Sequence, residues 1–130
     1  MESMSKIEAV LFDLDGTLLD SFPDFLASLE NINVKSSSKK IDESVVRANV
    51  SDGSSKLLKL VFDIDKDDKG FDEHKRNFLN EYERNILMYG NLFLGVSDLL
   101  NFLLDKKIPY GIVTNKPRKY TEIILKKSSL

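Results

Sequence analysis

The chain has 130 residues, the usual length of one domain, of which 42% are hydrophobic and 31% charged, a balance typical of a soluble globular protein. Nineteen Lys and Arg against 21 Asp and Glu give a net charge of −2, which provides no electrostatic reason to expect nucleic acid or an anionic membrane as a partner. The lack of cysteine excludes disulfides and thiolate sites and favours the cytoplasm, and the sequence predicts neither a signal peptide nor a membrane span.

The first half of the chain predicts one strand followed by helices. A mostly apolar run at residues 7–12 predicts a strand buried on both faces that ends at Asp13. A helix of about three turns is predicted after Ser21, which is placed to cap it. The stretch 35–40 contains only Ser and Lys, which indicates a solvated connection. Further helices are predicted over residues 42–49, 55–64 and 72–88.

Beyond Gly95 the pattern returns to helix, strand and helix. Ser97 is placed to cap a helix, a strand is predicted over 108–114, and Pro117 begins a last helix that ends near residue 127. The predicted inner face of the first of these helices consists of Leu99, Leu100, Leu103 and Leu104. This order predicts an α/β protein with a Rossmann-like parallel-sheet core, incomplete in this chain, and an inserted α-helical cap. The predicted core comprises residues 1–20 and 92–130, and the predicted cap comprises residues 21–91.

Two carboxylates stand at the predicted end of the first strand, where open α/β sheets keep their ligands. Asp13 and Asp15 are two residues apart, so both can reach one reacting group. A carboxylate can attack phosphorus to form an acyl phosphate, and a second carboxyl can then donate and accept protons. Two acids near a phosphate require a divalent cation, and oxygen ligands favour Mg²⁺. Gly16 allows the tight turn that a close approach of backbone to phosphate needs.

Two runs of sequence carry a resemblance to a known family. Residues 12–21 read Phe-Asp-Leu-Asp-Gly-Thr-Leu-Leu-Asp-Ser, and residues 111–117 read Gly-Ile-Val-Thr-Asn-Lys-Pro. They resemble the first and second motifs of the haloacid dehalogenase-like superfamily. The resemblance implies that Asp13 is the nucleophile and Asp15 the general acid and base, and that Mg²⁺ is bound by the Asp13 carboxylate and the Asp15 main-chain carbonyl. The phosphate-binding residues that we predict are Gly16, Thr17, Thr114 and Asn115.

The helical insertion resembles the small cap of phosphoglycolate phosphatase-like members. Ser51, Asp52 and Gly53 stand where that subfamily carries a cap turn that closes over the substrate, although a turn without this role is equally consistent with these residues. The resemblance implies a small phosphorylated metabolite, similar to 2-phosphoglycolate, as the substrate.

The family's third motif, a lysine, and its fourth, an acidic pair, would follow the second motif, and neither is found before Leu130. We therefore expect a C-terminally truncated product or fragment that is poorly active by itself. The alternative to an enzyme is a catalytically impaired relative that binds phosphate or metal or contributes an interaction surface. The predicted two-stranded parallel sheet would leave strand edges open, through which the chain could oligomerise.

Other interpretations of the charged and aromatic residues are weaker. Residues 63–70 imitate a calcium loop, but Asp68 replaces the required Gly and His74 the required Glu, so we expect a solvated loop. A phospho-accepting receiver domain would not need so large a helical insertion. The aromatic residues Phe78, Tyr82 and Phe102 lie on apolar stripes and are predicted to be core.

Overall fold

A computed structural model describes residues 6–36 and 40–130 as a mixed α/β fold of six helices and two small sheets. The strands are β1 (Val10–Phe12), β2 (Leu19–Asp20), β3 (Asn91–Leu92) and β4 (Tyr110–Ile112). The helices are α1 (Phe22–Ser36), α2 (Glu43–Ala48), α3 (Ser54–Phe62), α4 (Phe71–Asn85), α5 (Val96–Asp105) and α6 (Arg118–Ser128). The connection predicted at 35–40 instead begins inside α1, and its residues 37–39 lie outside the described part of the chain.

β1 and β4 form a parallel pair, in the register Val10 to Tyr110 and Phe12 to Ile112. The N–H of Val113 donates to the carbonyl of Phe12 at 2.8 Å, so the pairing continues to the ends of both strands. Because the strands are parallel, their carboxyl ends lie side by side. The predicted α/β class and the parallel pairing of these two strands are therefore confirmed.

The strand predicted over 7–12 is shorter, and the prediction that it is buried on both faces is wrong for the described residues. Ile7 lies outside β1 and is 62% exposed, and Leu11 within it is 71% exposed. Phe12, on the other face, packs against the hydrophobic core. The apolar run at residues 7–12 therefore includes side chains on a face that no other described residue covers.

A second, antiparallel pairing joins β2 to β3 and was not predicted. Leu19 pairs with Leu92 and Asp20 with Asn91. Since helices α1 to α4 lie between these two strands in sequence, we call residues 22–85 the four-helix segment. The chain enters and leaves this segment at one place, which the β2–β3 pair holds together.

Asp24, in the first turn of α1, also holds this junction. Its side chain is 1% exposed, and its carboxylate accepts hydrogen bonds from the N–H groups of Leu87, Tyr89 and Gly90, each at 2.9 Å. A β-carbon at Gly90 would lie 2.6 Å from the carbonyl oxygen of Asp20, so only glycine allows this close approach. The end of the four-helix segment is thereby fixed to its beginning.

Aromatic packing joins α1 to α4. The rings of Phe25 and Tyr82 stack with centroids 4.5 Å apart, and Phe78 lies 6.1 Å from Phe25. Phe78 and Tyr82 are buried, as predicted. The predicted cap at Ser21 is wrong as to its side chain, because the hydroxyl is buried and makes no hydrogen bond to any residue that the structure describes, while the Ser21 carbonyl accepts from the N–H of Phe25.

The remaining helices lie close to their predicted ranges. α2 begins after Asp42, whose carboxylate accepts from the N–H of Ser44 at 3.0 Å, the usual N-cap contact. The hydroxyl of Ser44, which donates to the same carboxylate oxygen at 2.6 Å, lowers the pKa of Asp42 most, and the Ser44 N–H lowers it further. Among the described residues, no helix combines the length and the apolar composition that crossing a membrane requires.

α5 buries two of the four residues of its predicted inner face, Leu100 and Leu103. Gly95, not Ser97, occupies the N-cap position, and the buried residues are Val96, Leu100 and Leu103. The other predicted core positions are exposed, at 42% for Leu99, 52% for Phe102 and 61% for Leu104. A helix that is apolar on most sides has no single predicted inner face, and only one side of α5 packs against the described residues.

Candidate active site

Asp13 is the first residue after β1, and a tight turn follows it. One of its carboxylate oxygens accepts from the N–H of Leu14 at 2.8 Å, and its side chain is otherwise open to solvent. The carbonyl of Leu14 accepts from the N–H groups of residues 17, 18 and 19. Leu14 is fully buried, so the turn is anchored in the core while Asp13 stays accessible.

Asp15 is 4% exposed, and its three oxygen atoms have different surroundings. Oδ2 lies 2.9 Å from Nζ of Lys116. The main-chain carbonyl accepts a hydrogen bond from the hydroxyl of Ser51 at 2.6 Å. Oδ1 is buried and has no hydrogen-bond partner among the described residues. Asp15 therefore links the end of β1 both to the end of β4 and to the turn before α3, with one carboxylate oxygen left for a ligand.

Lys116 occupies an aromatic cage as well as its ion pair. Its side chain is 5% exposed, and Nζ lies 4.4 Å from the centre of the Tyr82 ring and 4.8 Å from that of Phe25. Burial lowers the pKa of Lys116, against the opposite effect of the Asp15 carboxylate. Cation–aromatic contacts of this kind are favourable when desolvated. The ammonium thus contacts the four-helix segment and the acid together.

Sequence reasoning missed Lys116 as a site residue. The residue stands inside the second motif, but neither the motif nor its spacing assigned it a role. A basic residue at the end of one strand, beside an acid at the end of its parallel neighbour, was the available signal. The sequence did not indicate that Phe25 and Tyr82 line the site. Aromatic residues that face a cavity follow the same helical periodicity as aromatic residues that are packed in the core.

The end of β4 supplies the other predicted residues. The hydroxyl of Thr114 accepts from the N–H of Lys116 at 3.1 Å. The side-chain amide of Asn115 donates to the carbonyl of Ser51 at 3.2 Å. Since the hydroxyl of the same Ser51 bonds to Asp15, this serine connects the two motifs. Gly16 also lies close to Ser51. A β-carbon at Gly16 would be 3.1 Å from the hydroxyl oxygen of Ser51, and the φ of +81° at this position favours glycine.

Three predicted residues have weaker connections to this cluster. Thr17 is exposed, and its hydroxyl makes no hydrogen bond to another described residue. Asp52 forms an exposed ion pair with Lys56 at 3.0 Å. Gly53 lines the cavity described next. The structure therefore brings Ser51 into the centre of the site and leaves the side chain of Asp52 on the surface.

A cavity of about 390 Å³ lies beside this cluster. Its polar end is formed by Asp15, Asn115 and Lys116, and its apolar wall includes Phe25, Leu79 and Tyr82. Asp13 does not line it, although the parallel pairing keeps the ends of β1 and β4 adjacent. The cavity has the size and the mixed lining that are usual for small-molecule sites.

The donors near the end of β1 are suitable for a hard divalent cation. The Asp13 carboxylate is accessible, and the Asp15 carbonyl, which already accepts one hydrogen bond, has a second lone pair. Within residues 6–36 and 40–130, no group of three or more acidic or histidine side chains is clustered as for a metal. Mg²⁺ is commonly held by one or two carboxylates together with water and substrate phosphate, so the residues present fit part of such a site.

An α/β fold with acids and a Thr-Asn pair at adjacent ends of parallel strands defines a Rossmann-like protein that binds its ligand at that edge. Residues 10–130 match the family model described as haloacid dehalogenase-like hydrolase. The chain belongs to this family.

Curated relatives and solved structures agree with this assignment. The chain is 33% identical over 125 residues to the N-acetylmuramic acid 6-phosphate phosphatase of Pseudomonas putida, covering 96% of the chain and 56% of the relative. It is 38% identical over 117 residues to the phosphoglycolate phosphatase of Xanthomonas campestris, covering 90% of the chain and 52% of the relative. The crystal structure of a predicted phosphoglycolate phosphatase from Haemophilus somnus matches with a TM-score of 0.80 at 25% identity, covering 97% of this chain and 59% of that one. The chain thus spans about half the length of the curated relatives it matches.

Proposed function

We propose that this chain carries the phosphate-handling residues of a magnesium-dependent phosphatase, which hydrolyses a small phosphomonoester through an aspartyl-phosphate intermediate. The observation that carries the proposal is the meeting of both motifs at one cavity, with Asp15 and Asn115 in its wall and Oδ2 of Asp15 2.9 Å from Nζ of Lys116. The relatives named above, both phosphatases of small phosphorylated acids by their names, support the same reaction class.

In the proposed reaction, Asp13 is the nucleophile. Its exposed carboxylate attacks phosphorus, and the leaving oxygen takes a proton from Asp15. Water then attacks the phosphorus of the aspartyl-phosphate and gives a proton to Asp15, which releases phosphate and restores Asp13. The Thr114 hydroxyl and the backbone N–H of Asn115 would hold the phosphoryl oxygens, whereas the N–H groups of Gly16 and Thr17 already donate to the carbonyls of Leu19 and Leu14. Mg²⁺, bound by the Asp13 carboxylate and the Asp15 carbonyl, would neutralise part of the phosphate charge.

The ion pair with Lys116 bears on the two proton transfers. Nζ of Lys116 lies 2.9 Å from Oδ2 of Asp15, so this oxygen of the proposed acid and base is already paired. To protonate the leaving group, Asp15 must first carry a proton, and Lys116 must then release Oδ2. The ion pair between Lys116 and Asp15 must therefore open during the proposed reaction.

We further propose that residues 1–20 and 92–130 form the core and residues 21–91 a cap. The proposal is supported by the position of α1 to α4 between β2 and β3 and by the hydrogen bonds from Ser51 to Asp15 and from Asn115 to Ser51. In a closed cap these contacts would exclude water from the reacting groups. The predicted cytoplasmic location and the predicted lack of a nucleic-acid partner stay predictions.

Phosphate release measured by a molybdate dye assay tests the proposed reaction. We expect slow Mg²⁺-dependent turnover of 2-phosphoglycolate or N-acetylmuramic acid 6-phosphate, in line with the poor activity predicted from the sequence, and its abolition by EDTA. Asp13→Asn should lose at least about 1,000-fold, because the nucleophile is removed. Asp67→Asn, in the exposed loop before α4, removes an equal charge and should leave the rate unchanged. Turnover that survives in Asp13→Asn would refute the proposed mechanism.

The second candidate function is a catalytically impaired relative that binds phosphate or metal or contributes an interaction surface. It is favoured by the exposed apolar residues of β1 and α5, which offer an interaction surface. Phosphate or Mg²⁺ binding by calorimetry, without measurable phosphate release, would favour this function over the enzyme.

A further inference from the structure

The wall that α4 contributes to the cavity carries a cation besides its apolar residues. Lys75, Leu79 and Tyr82 all line the cavity, and positions four and seven residues apart share one face of a helix. At 1.5 Å per residue, Lys75 lies about 10 Å along the axis from Tyr82, whose ring contacts the Lys116 ammonium. The cation and the acid end of the cavity are therefore separated by an apolar wall.

The charges of the cavity leave Lys75 without a counter-ion. Of the three lysines in the lining, Lys116 is paired with Asp15 at 2.9 Å and Lys119 with Glu83 at 3.3 Å. No carboxylate of the described residues lies within ion-pair distance of the Lys75 ammonium. The uncompensated charge in this cavity is thus positive and lies on α4.

The volume of the cavity restricts the ligand that would use this charge. A volume of about 390 Å³ lies in the usual range of small-molecule sites and has room for a sugar-sized leaving group. Leu79 and the Tyr82 ring offer such a body apolar contact, as aromatic faces do for the C–H faces of ring compounds.

We propose that Lys75 is a specificity-determining residue that binds a second anionic group, a carboxylate, on the leaving group of a ring-sized phosphomonoester. The inference rests on the proposed function, since it assigns the phosphate to the polar end of the cavity at Asp15 and Asn115 and the distal anion to α4. It names the substrate class as phosphorylated sugar acids, in which an apolar ring face separates the two charges.

Two ligands that differ only in the distal group provide the test, with Asp13→Asn as the background that prevents turnover. Binding of glucuronic acid 1-phosphate and of glucose 1-phosphate is measured by calorimetry with Mg²⁺. We expect the acid to bind about tenfold more tightly, the equivalent of about 1.4 kcal/mol, because only the acid offers Lys75 a carboxylate. Adding Lys75→Met should remove this preference, and Lys75→Arg should retain most of it.

Arg76→Met is the matched control, because it removes one positive charge from the neighbouring, exposed position of α4 and should keep the preference. Equal binding of the two ligands, or a preference that survives in Lys75→Met, would overturn the inference and leave the proposed function intact. A failure of inorganic phosphate and of both ligands to bind the chain without Asp13→Asn would overturn both.

Discussion

Asp24 fixes a chain junction that lies more than 60 residues away in sequence, through a single buried carboxylate. Its two oxygens accept from three backbone N–H groups between residues 87 and 90, and its place in the first turn of α1 suits a negative charge at a helix N-terminus. Hydrogen bonds to a charged acceptor are stronger than neutral ones. The residue therefore contributes to stability and has no contact with the reacting groups.

Replacing Asp24 with Asn tests this contribution. The amide group can accept through only one oxygen and brings an N–H₂ toward the N–H donors, so we expect a loss of about 3 kcal/mol in the free energy of unfolding. Urea denaturation followed by circular dichroism measures it. Asp98→Asn, an exposed acid in the first turn of α5, should change the stability by less than about 0.5 kcal/mol, and a similar loss in both variants would contradict the assignment.

At the scale of single residues, the sequence predicted the polar residues at the ends of the strands better than the side chains that surround those residues. Asp13, Asp15, Thr114 and Asn115 are adjacent because parallel pairing brings their strand ends together, and that consequence follows from the order of elements alone. The ion pair of Lys116 with Asp15 could have been inferred from the same strand ends, but its aromatic cage could not, because Phe25 and Tyr82 belong to the four-helix segment. The role of Asp24 could not be predicted, because its hydrogen-bond partners lie more than 60 residues away in the sequence.

At the scale of elements, the β2–β3 pair and the close approach at Gly90 decide how the four-helix segment joins the sheet. Two-residue strands carry no periodicity, so nothing in the sequence could have indicated them. The helices themselves were predictable within a few residues, since α3 and α4 bury regular apolar stripes. α5 was not, because its apolar residues surround the helix and the described core covers only one side.

Gly90→Ala tests the junction between these elements. The added β-carbon would meet the Asp20 carbonyl at 2.6 Å and Oδ2 of Asp24 at 2.7 Å, so backbone must shift and we expect a loss of about 2 kcal/mol or more in stability. Gly111→Ala in β4 is the control, because its β-carbon would meet only Leu11 at an ordinary 3.5 Å and should change stability by less than about 1 kcal/mol. Thermal denaturation compares the two, and equal midpoints would disprove the steric argument.

At the scale of the whole molecule, the described residues leave apolar surface exposed around the parallel strands. Leu11 and Val113 are 71% and 62% exposed, and β1 and β4 pair only with each other among the described strands. Open strand edges beside apolar side chains favour pairing with another chain. The predicted oligomerisation through these edges stays a prediction, with this surface as its physical basis.

Sedimentation velocity over a range of protein concentrations tests that association. We expect the weight-average sedimentation coefficient to rise with concentration and Leu11→Lys to reduce this rise, since a charge on an edge strand opposes pairing. Leu60→Lys changes an exposed leucine of α3, away from the sheet, and should leave the association unchanged. A chain that stays monomeric at high concentration, or equal effects of both variants, would remove the strand edge as the cause.

The buried ring of Tyr82 lines the cavity, and its ionisation can be followed by ultraviolet absorption. Burial, with the nearby Asp15 and Asp24 carboxylates, raises the pKa of Tyr82 far above its usual value, so the native state keeps the phenol proton in alkali while an unfolded chain would lose it. Because the unfolded chain then binds fewer protons, alkali lowers the stability of the fold. The chain has no tryptophan and only four tyrosines, so tyrosine dominates its near-ultraviolet absorption. The spectrum in alkali would therefore show whether Tyr82 is still buried in the cavity wall.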